Sequence, residues 1–449
     1  MMFIYGMISF VTNLAAPMGN VWKYQPGIEG SNMLGMMGNM MNFLAYLFMG
    51  IPAGKMLTKC GYKKTALIGI ATGFVGVGIQ FLSGKVPGTA ESMVGPFCVY
   101  LFGAFVCGFS VCMLNMVVNP MLNLLGGGGN RGNQLNMIGT TFNSVCGTAT
   151  PMLVGALIGQ VTKDTVVSDV NLVMYIALAV FAAAFVVLSF IPIENPEQGN
   201  TTEDIPVLAP LKFRHCLLGV VAIFMYVGVE VGIPGTMNLW LSAQDGPLVK
   251  AGVQNAAVIA GMVAGTYWLL MLVGRTIGAF IGGKISSRVL MTITTLGAFC
   301  LILVGVFLPD TTTTSMPVFT GTKFQMATVP VTALLFALCG LCTSIMWPSI
   351  FNLATEKLGK YTAAASGLFM VMVVGGGILP LVQNAIADKV GFMIAYAVPL
   401  CGIAYMFVYS AFLSKPPADI EAQRTACLNA HFSSLAIFSI FAGAIFVTP

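Results

Sequence analysis

Gly54-Lys55-Met56-Leu57-Thr58-Lys59-Cys60-Gly61-Tyr62-Lys63-Lys64 packs four lysines into eleven residues, yet lies between two long apolar runs, 33–57 and 65–84. A membrane span needs about 20 predominantly apolar residues. The stretch therefore reads as a short basic turn joining two spans. Similar runs occur at about 3–22, 95–123, 134–161, 171–193, 215–242, 256–283, 289–308, 329–354, 363–386 and 391–413. A further run, 427–447, follows a charged linker carrying Asp419, Glu421 and Arg424.

Composition agrees. The 449 residues are 57% hydrophobic and 8% charged, where soluble domains carry roughly 25% charge. Mean hydropathy is +0.89. Too little polar surface exists to coat a soluble globule, so lipid must be the solvent for most of the exterior. The run starting at Met2 lacks a basic leader and a small-residue cleavage site, and is expected to be a first span. The eleven cysteines fall mostly inside apolar runs, which argues for small hydrophobes rather than disulfides.

Lysine and arginine set the orientation. With the N-terminus inside, inner loops hold Lys55, Lys59, Lys63, Lys64, Arg131, Lys212, Arg214, Lys284, Arg288, Lys357 and Lys360, eleven in all, against six in outer loops (Lys23, Lys85, Lys163, Lys250, Lys323, Lys389). A multi-pass protein of the cell (inner) membrane with a cytoplasmic N-terminus is expected.

The longest polar stretch divides the chain. The expected organisation is a six-helix half at 1–193, a cytoplasmic linker at 194–213, a second six-helix half at 214–414, and a tail at 415–449 with an extra hydrophobic segment, a possible thirteenth helix. The halves repeat: Gly54-Lys55 matches Gly283-Lys284 and Pro151 matches Pro380, both 229 residues on, and Pro120 matches Pro348, 228 residues on. Parallel repeats enclosing a mid-membrane site are a transporter architecture.

Few residues can carry chemistry. Glu230, in the middle of the seventh span, is the one acid deep in a span. A charge there costs about 2.5–3.5 kcal/mol on insertion scales and usually marks an ion or substrate path. Glu230 is the candidate for coupling to Na⁺ or H⁺; a structural hydrogen bond is the alternative. Arg275 sits toward the inner end of the eighth span, where its stem could snorkel to the interface. With Lys55, Lys59, Lys63 and Lys284 it is assigned to an inner gate. Amides are plentiful within or beside spans: Asn13, Asn39, Asn42, Asn115, Asn119, Asn143, Asn238, Gln383 and Asn384. They offer donors and acceptors to a polar ligand, or serve as interhelical glue. Trp347, next to Pro348, reads either as a stacking face for a ligand or as bulky packing. Trp22 and Trp240 fall near the outer interface, where aromatic belts occur. Gly126–Gly129 lacks the Gly-Lys-Ser/Thr of a phosphate loop. Cys339-Gly-Leu-Cys342 has no second pair, and two histidines are too few for a metal site. No clustered His or Asp suggests a membrane enzyme.

The Gly54–Lys64 turn resembles the loop between the second and third helices of the major facilitator superfamily, with Thr58 where that family usually has an acid. Leu114-Asn-Met-Val-Val-Asn-Pro120, Thr141-Phe-Asn-Ser144, Tyr226-Val-Gly-Val-Glu-Val-Gly232, Ser344-Ile-Met-Trp-Pro-Ser-Ile-Phe351 and Val374-Gly-Gly-Gly377 resemble the fucose/proton symporter family, which includes glucose/galactose transporters. The resemblance covers residues 5–414. It implies an all-α major facilitator fold of twelve transmembrane helices, importing a monosaccharide by alternating access. Two carboxylates of that family are absent, their places taken by Ala16 and Asn115, and a substrate-contacting glutamine falls on Thr140. With the buried amides and Trp347 read from the residues, and Thr140 added by the resemblance, the candidate sugar contacts are Asn13, Asn39, Asn115, Asn119, Thr140, Asn143, Asn238, Trp347 and Gln383. An uncoupled facilitator and a non-transporting nutrient sensor remain as alternatives. No cofactor is expected beyond a coupling Na⁺ or H⁺. The expected partners are a small sugar and the bilayer, with no nucleic acid and a monomeric state.

Overall fold

The computed structural model describes residues 1–22, 25–28, 32–87, 92–127, 129–158, 167–193, 206–243, 245–253, 256–319 and 323–416. The extra run at 427–447 lies outside the described residues.

Helices dominate. In chain order they are α1 Met2–Trp22, α2 Asn32–Ser83, α3 Val94–Leu125, α4 Gly129–Ile158, α5 Asn171–Phe190, α6 Arg214–Ser242, the short α7 Pro247–Lys250, α8 Ala256–Ile281 and α9 Ser287–Phe307. Then follow α10 Val331–Thr343, α11 Met346–Thr355, α12 Thr362–Met372, α13 Gly375–Val390, the short α14 Phe392–Ala395 and α15 Ala397–Val408. Among the described residues nine helical segments are long and apolar enough to cross a bilayer. One of them, Met37–Ser83, runs 47 residues. At about 1.5 Å per residue that is roughly 70 Å, over twice the about 30 Å hydrocarbon core. Gly61 divides it with φ 78° and ψ 173°, a backbone that only glycine adopts freely. The chain reverses there: before the turn Gly38 lies against Tyr100 and Asn42 against Gly108 of α3, and after it Gly69 lies against Leu114 and Gly76 against Cys107, so two antiparallel crossings meet at the basic turn.

The second half is built of shorter pieces. The tenth span is interrupted between α10 and α11 at Ser344-Ile345, four residues before Pro348. A proline removes the bond to the carbonyl four residues back, so the Ser344 carbonyl is released at the break. The eleventh span is interrupted between α12 and α13 at Val373-Val374. Gly391, at φ 102°, separates α13 from α14.

One element was not anticipated. Between α9 and α10, Thr313–Phe319 (β1) and Phe324–Pro330 (β2) form an antiparallel hairpin, with Thr313 opposite Pro330 and Phe319 opposite Phe324. Met316, Val318 and Val329 are buried under it. It lies at the end of the bundle away from the basic loops. The aromatic-belt expectation also needs correcting. Trp22 and Trp240 are both buried, Trp22 against Phe97 and Tyr100 and Trp240 against Phe336. Their large apolar area is worth more between helices of the same half than at a headgroup boundary.

Candidate functional site

The polar centre is a connected chain of side chains through seven helices. It starts on α3. Asn119, fully buried, accepts from the Tyr5 hydroxyl of α1 at 2.7 Å and from Trp347 Nε1 of α11 at 3.0 Å. Its own Nδ2 donates to the Asn115 carbonyl at 2.8 Å. One turn earlier, Asn115 Nδ2 donates to the Tyr46 hydroxyl of α2 at 2.9 Å. The i, i+4 spacing puts both amides on one face of α3. Trp347 then meets the Tyr226 ring of α6, with centroids 6.1 Å apart, and one turn on from Tyr226 stands Glu230.

Glu230 is not alone. Arg275 Nη2 of α8 lies 3.1 Å from Glu230 Oε1, forming the one ion pair among the described residues. Three more of the five guanidinium donors are taken as well. Nε reaches the Ser344 carbonyl at 3.3 Å, the group that Pro348 releases. Nη1 reaches the Thr140 carbonyl at 3.4 Å and the Ser144 hydroxyl, both on α4. Arg275 therefore does not snorkel. It is only 9% exposed and turns inward, because a carboxylate and three uncharged oxygens outbid the distant interface. Beside it the Tyr267 hydroxyl pairs with the Thr343 hydroxyl at 2.9 Å.

Two of these links join helices α1–α5 to helices α6–α15: Asn119 to Trp347, and Arg275 to α4. Two more lie nearer the basic loops, from Gln134 Nε2 to the Ala279 carbonyl at 2.9 Å and from Asn123 Nδ2 to the Thr355 hydroxyl at 3.4 Å. Glycine permits close approach there: a Cβ at Gly50 of α2 would stand 2.6 Å from the Val371 backbone nitrogen of α12. The bundle is closed at its basic end.

The other sequence candidates fall variously. Thr140 is buried, but its hydroxyl bonds back to the Met137 carbonyl at 3.0 Å, so its carbonyl does the reaching. Gln383 is buried, with its Oε1 against Gly232 and its Nε2 without a protein partner. Asn384 Oδ1 accepts from Thr236 at 3.3 Å. Asn39, Asn143 and Asn238 are half-buried, and the side chain of Asn13 lies outside the described residues. Lys55, Lys59 and Lys284 are exposed at the basic end. Lys63 Nζ donates to the Ser189 carbonyl of α5 at 2.8 Å, a tie within the first six spans rather than across the gate. Sequence reasoning missed Tyr5, Tyr46, Ser144 and Ser344 as members. Ser144 and Ser344 stood inside the quoted motifs, but nothing in the chain said that Arg275 would reach them.

A rod bundle closed at one end around a mid-membrane ion pair, with polar groups from both halves, defines a membrane transporter. The chain belongs to the Major Facilitator Superfamily, whose family model matches residues 1–380. It is 28% identical over 380 residues to a glucose/galactose transporter of Brucella abortus, covering 83% of this chain and 84% of that protein. It is 26% identical over 386 residues to a putative glucose/galactose transporter of Helicobacter pylori (82% and 85%), and 23% identical over 409 residues to the L-fucose-proton symporter of Escherichia coli (83% of each). The crystal structure of the transporter FucP in the outward conformation shares the fold, with TM-score 0.72 at 18% identity over 92% of this chain and 98% of that one. These relatives are transporters, not enzymes.

Proposed function

We propose that the chain imports a monosaccharide, a hexose or deoxyhexose, by alternating access, with Glu230 coupling transport to Na⁺ or H⁺. The carrying observation is that the buried Glu230–Arg275 pair is also bound to α4 of the opposite half. Any movement that parts the halves at the basic end strips Arg275 of the Thr140 and Ser144 oxygens and changes what Glu230 faces. Protonation or cation binding at Glu230 is thereby linked to which end is open. The names carried by the relatives support a sugar as cargo. The eleven-to-six bias of Lys and Arg supports a basic end in the cytoplasm, hence an N-terminus inside an inner membrane and an outward-facing arrangement here. On this reading 1–193 and 214–414 are the rocking halves and the chain works as a monomer.

One observation favours a second reading. Arg275 already neutralises Glu230, so the carboxylate needs no external cation in this arrangement. An uncoupled facilitator follows if the pair persists throughout the cycle. Uptake of a labelled hexose panel into proteoliposomes, with and without Na⁺ and with a protonophore, decides between them. Coupling predicts gradient-driven accumulation that Glu230→Gln abolishes while exchange of sugar persists. Accumulation that survives the substitution sinks the role given to Glu230.

A further inference from the structure

Beneath the Asn119–Trp347 link, toward the basic end, three more asparagines are shut inside the seam. Asn133 and Asn136 of α4 are fully buried, and Asn123 of α3 is 8% exposed. Helical spacing says where they point. Residues 133, 137, 140 and 144 share one stripe of α4. Met137 of that stripe lies against Gly278 of α8 and Gly282 just beyond it, and Thr140 and Ser144 hold Arg275. Asn133 continues the stripe one turn closer to the basic end, toward the other half. Residues 132 and 139 form a second stripe. Gly132 abuts Asn123 and Gly139 abuts Tyr5 and Leu122; Asn136, three residues from Asn133 and four from Thr140, lies between the two stripes, at the edge of the seam next to α1 and α3. Asn123 in turn reaches Thr355 of α11 through its Nδ2.

Five amide atoms here have no protein partner: Asn123 Oδ1 and both polar atoms of Asn133 and Asn136. Buried amides nearly always find a partner in protein, water or ligand. A seam that served only to close would be better filled by leucine. Amides supply donors and acceptors without charge, which suits a neutral polyol. Asn133 and Asn136 stand about one to three turns below Thr140 and Ser144, the groups of α4 that hold Arg275.

We propose that Asn123, Asn133 and Asn136 form a second station for sugar hydroxyls, on the release path at the basic end, presented when that end opens. The proposal rests on the sugar reading above. The test uses the full chain in proteoliposomes with a labelled hexose that it carries, measuring half-saturation separately with sugar offered at each end. Asn133→Leu and Asn136→Leu keep the side-chain size and remove the hydrogen bonds. The expected result is a weakening of about 3- to 10-fold for sugar offered at the basic end, the scale of one hydrogen bond or so, with the opposite end unchanged. Unchanged values at both ends mean that the amides hold water only, and equal weakening at both ends assigns them to the central site or to folding; either overturns the station. Should the leucine variants fail to assemble, a panel of deoxyhexoses on the unaltered chain serves instead. The station predicts that loss of a hydroxyl weakens basic-end affinity more than affinity at the opposite end, and equal losses overturn it. An unaltered chain that moves no hexose in either direction overturns the sugar reading, and the station with it.

Discussion

α3 and the α10–α11 pair occupy matching places in the two halves, and one is whole where the other is broken. Each carries its proline at the repeat position, Pro120 and Pro348. α3 runs 32 residues through Pro120 without interruption. The equivalent span stops at Thr343 and restarts at Met346. A proline frees one carbonyl in either case. The difference is what receives it. The carbonyl freed by Pro120 is that of the buried Met116, and the side-chain donors nearest it in the chain, Asn115 and Asn119, are directed to Tyr46 and to the Asn115 carbonyl instead. The one freed by Pro348 is that of Ser344, and Arg275 takes it. A proline loosens a membrane helix; a charged donor alongside it holds the break open.

The largest effect tests the donor. Arg275→Leu leaves Glu230 buried without its cation, and loss of one partner from a buried pair costs about 3–5 kcal/mol. We expect a thermal-unfolding shift of that order and no measurable transport. Adding Glu230→Leu should recover most of the stability and none of the transport. If the single variant is as stable as the parent, the pair is not what holds the break.

A middle-sized effect falls on Asn119, which links the same two helices. Asn119→Leu leaves Tyr5 and Trp347 without their acceptor, at about 1–3 kcal/mol for buried donors. It should favour opening of the basic end, read as faster alkylation of a cysteine placed at Gln134. Unchanged alkylation would mean that the link contributes nothing to closure.

The smallest effects compare the prolines directly. Pro348→Ala restores a backbone donor that competes with Arg275 for the Ser344 carbonyl. Transport should slow by a few-fold, since this competition involves about one net hydrogen bond. Pro120→Ala disturbs no such partner and should stay within about 0.5 kcal/mol of the parent in stability, as for substitutions that remove no special feature. Equal effects at the two positions would dissolve the distinction.

The spans were legible because apolar runs along the chain announce helices. Glu230 was legible for the same reason, as an acid where acids are costly. Its partner was not, because Glu230 and Arg275 stand 45 positions apart with no local signal of their meeting. Arg275 was placed at a gate from its position near a helix end, and only packing shows its stem turned inward. The amides were found as a set, but not their division of labour. Asn119 is bonded to protein through both its amide atoms, whereas Asn133 and Asn136 lay outside the sequence candidates altogether. The hairpin went unread because its threonine-rich strands are short and sit between two much stronger helical signals.

Pro348, Ser344, Arg275 and Glu230 form a dependency chain: the first supplies the acceptor that helps hold the third, and the third holds the fourth. In descendants of a common ancestor these positions should be inherited together or lost together. A lineage that reverts Pro348 closes the helix around Ser344 and weakens selection for the arginine. A lineage that loses the arginine cannot keep an ionised Glu230. Covariation between a proline and an acid on different helices, with no contact between them, is the signature that this arrangement should leave.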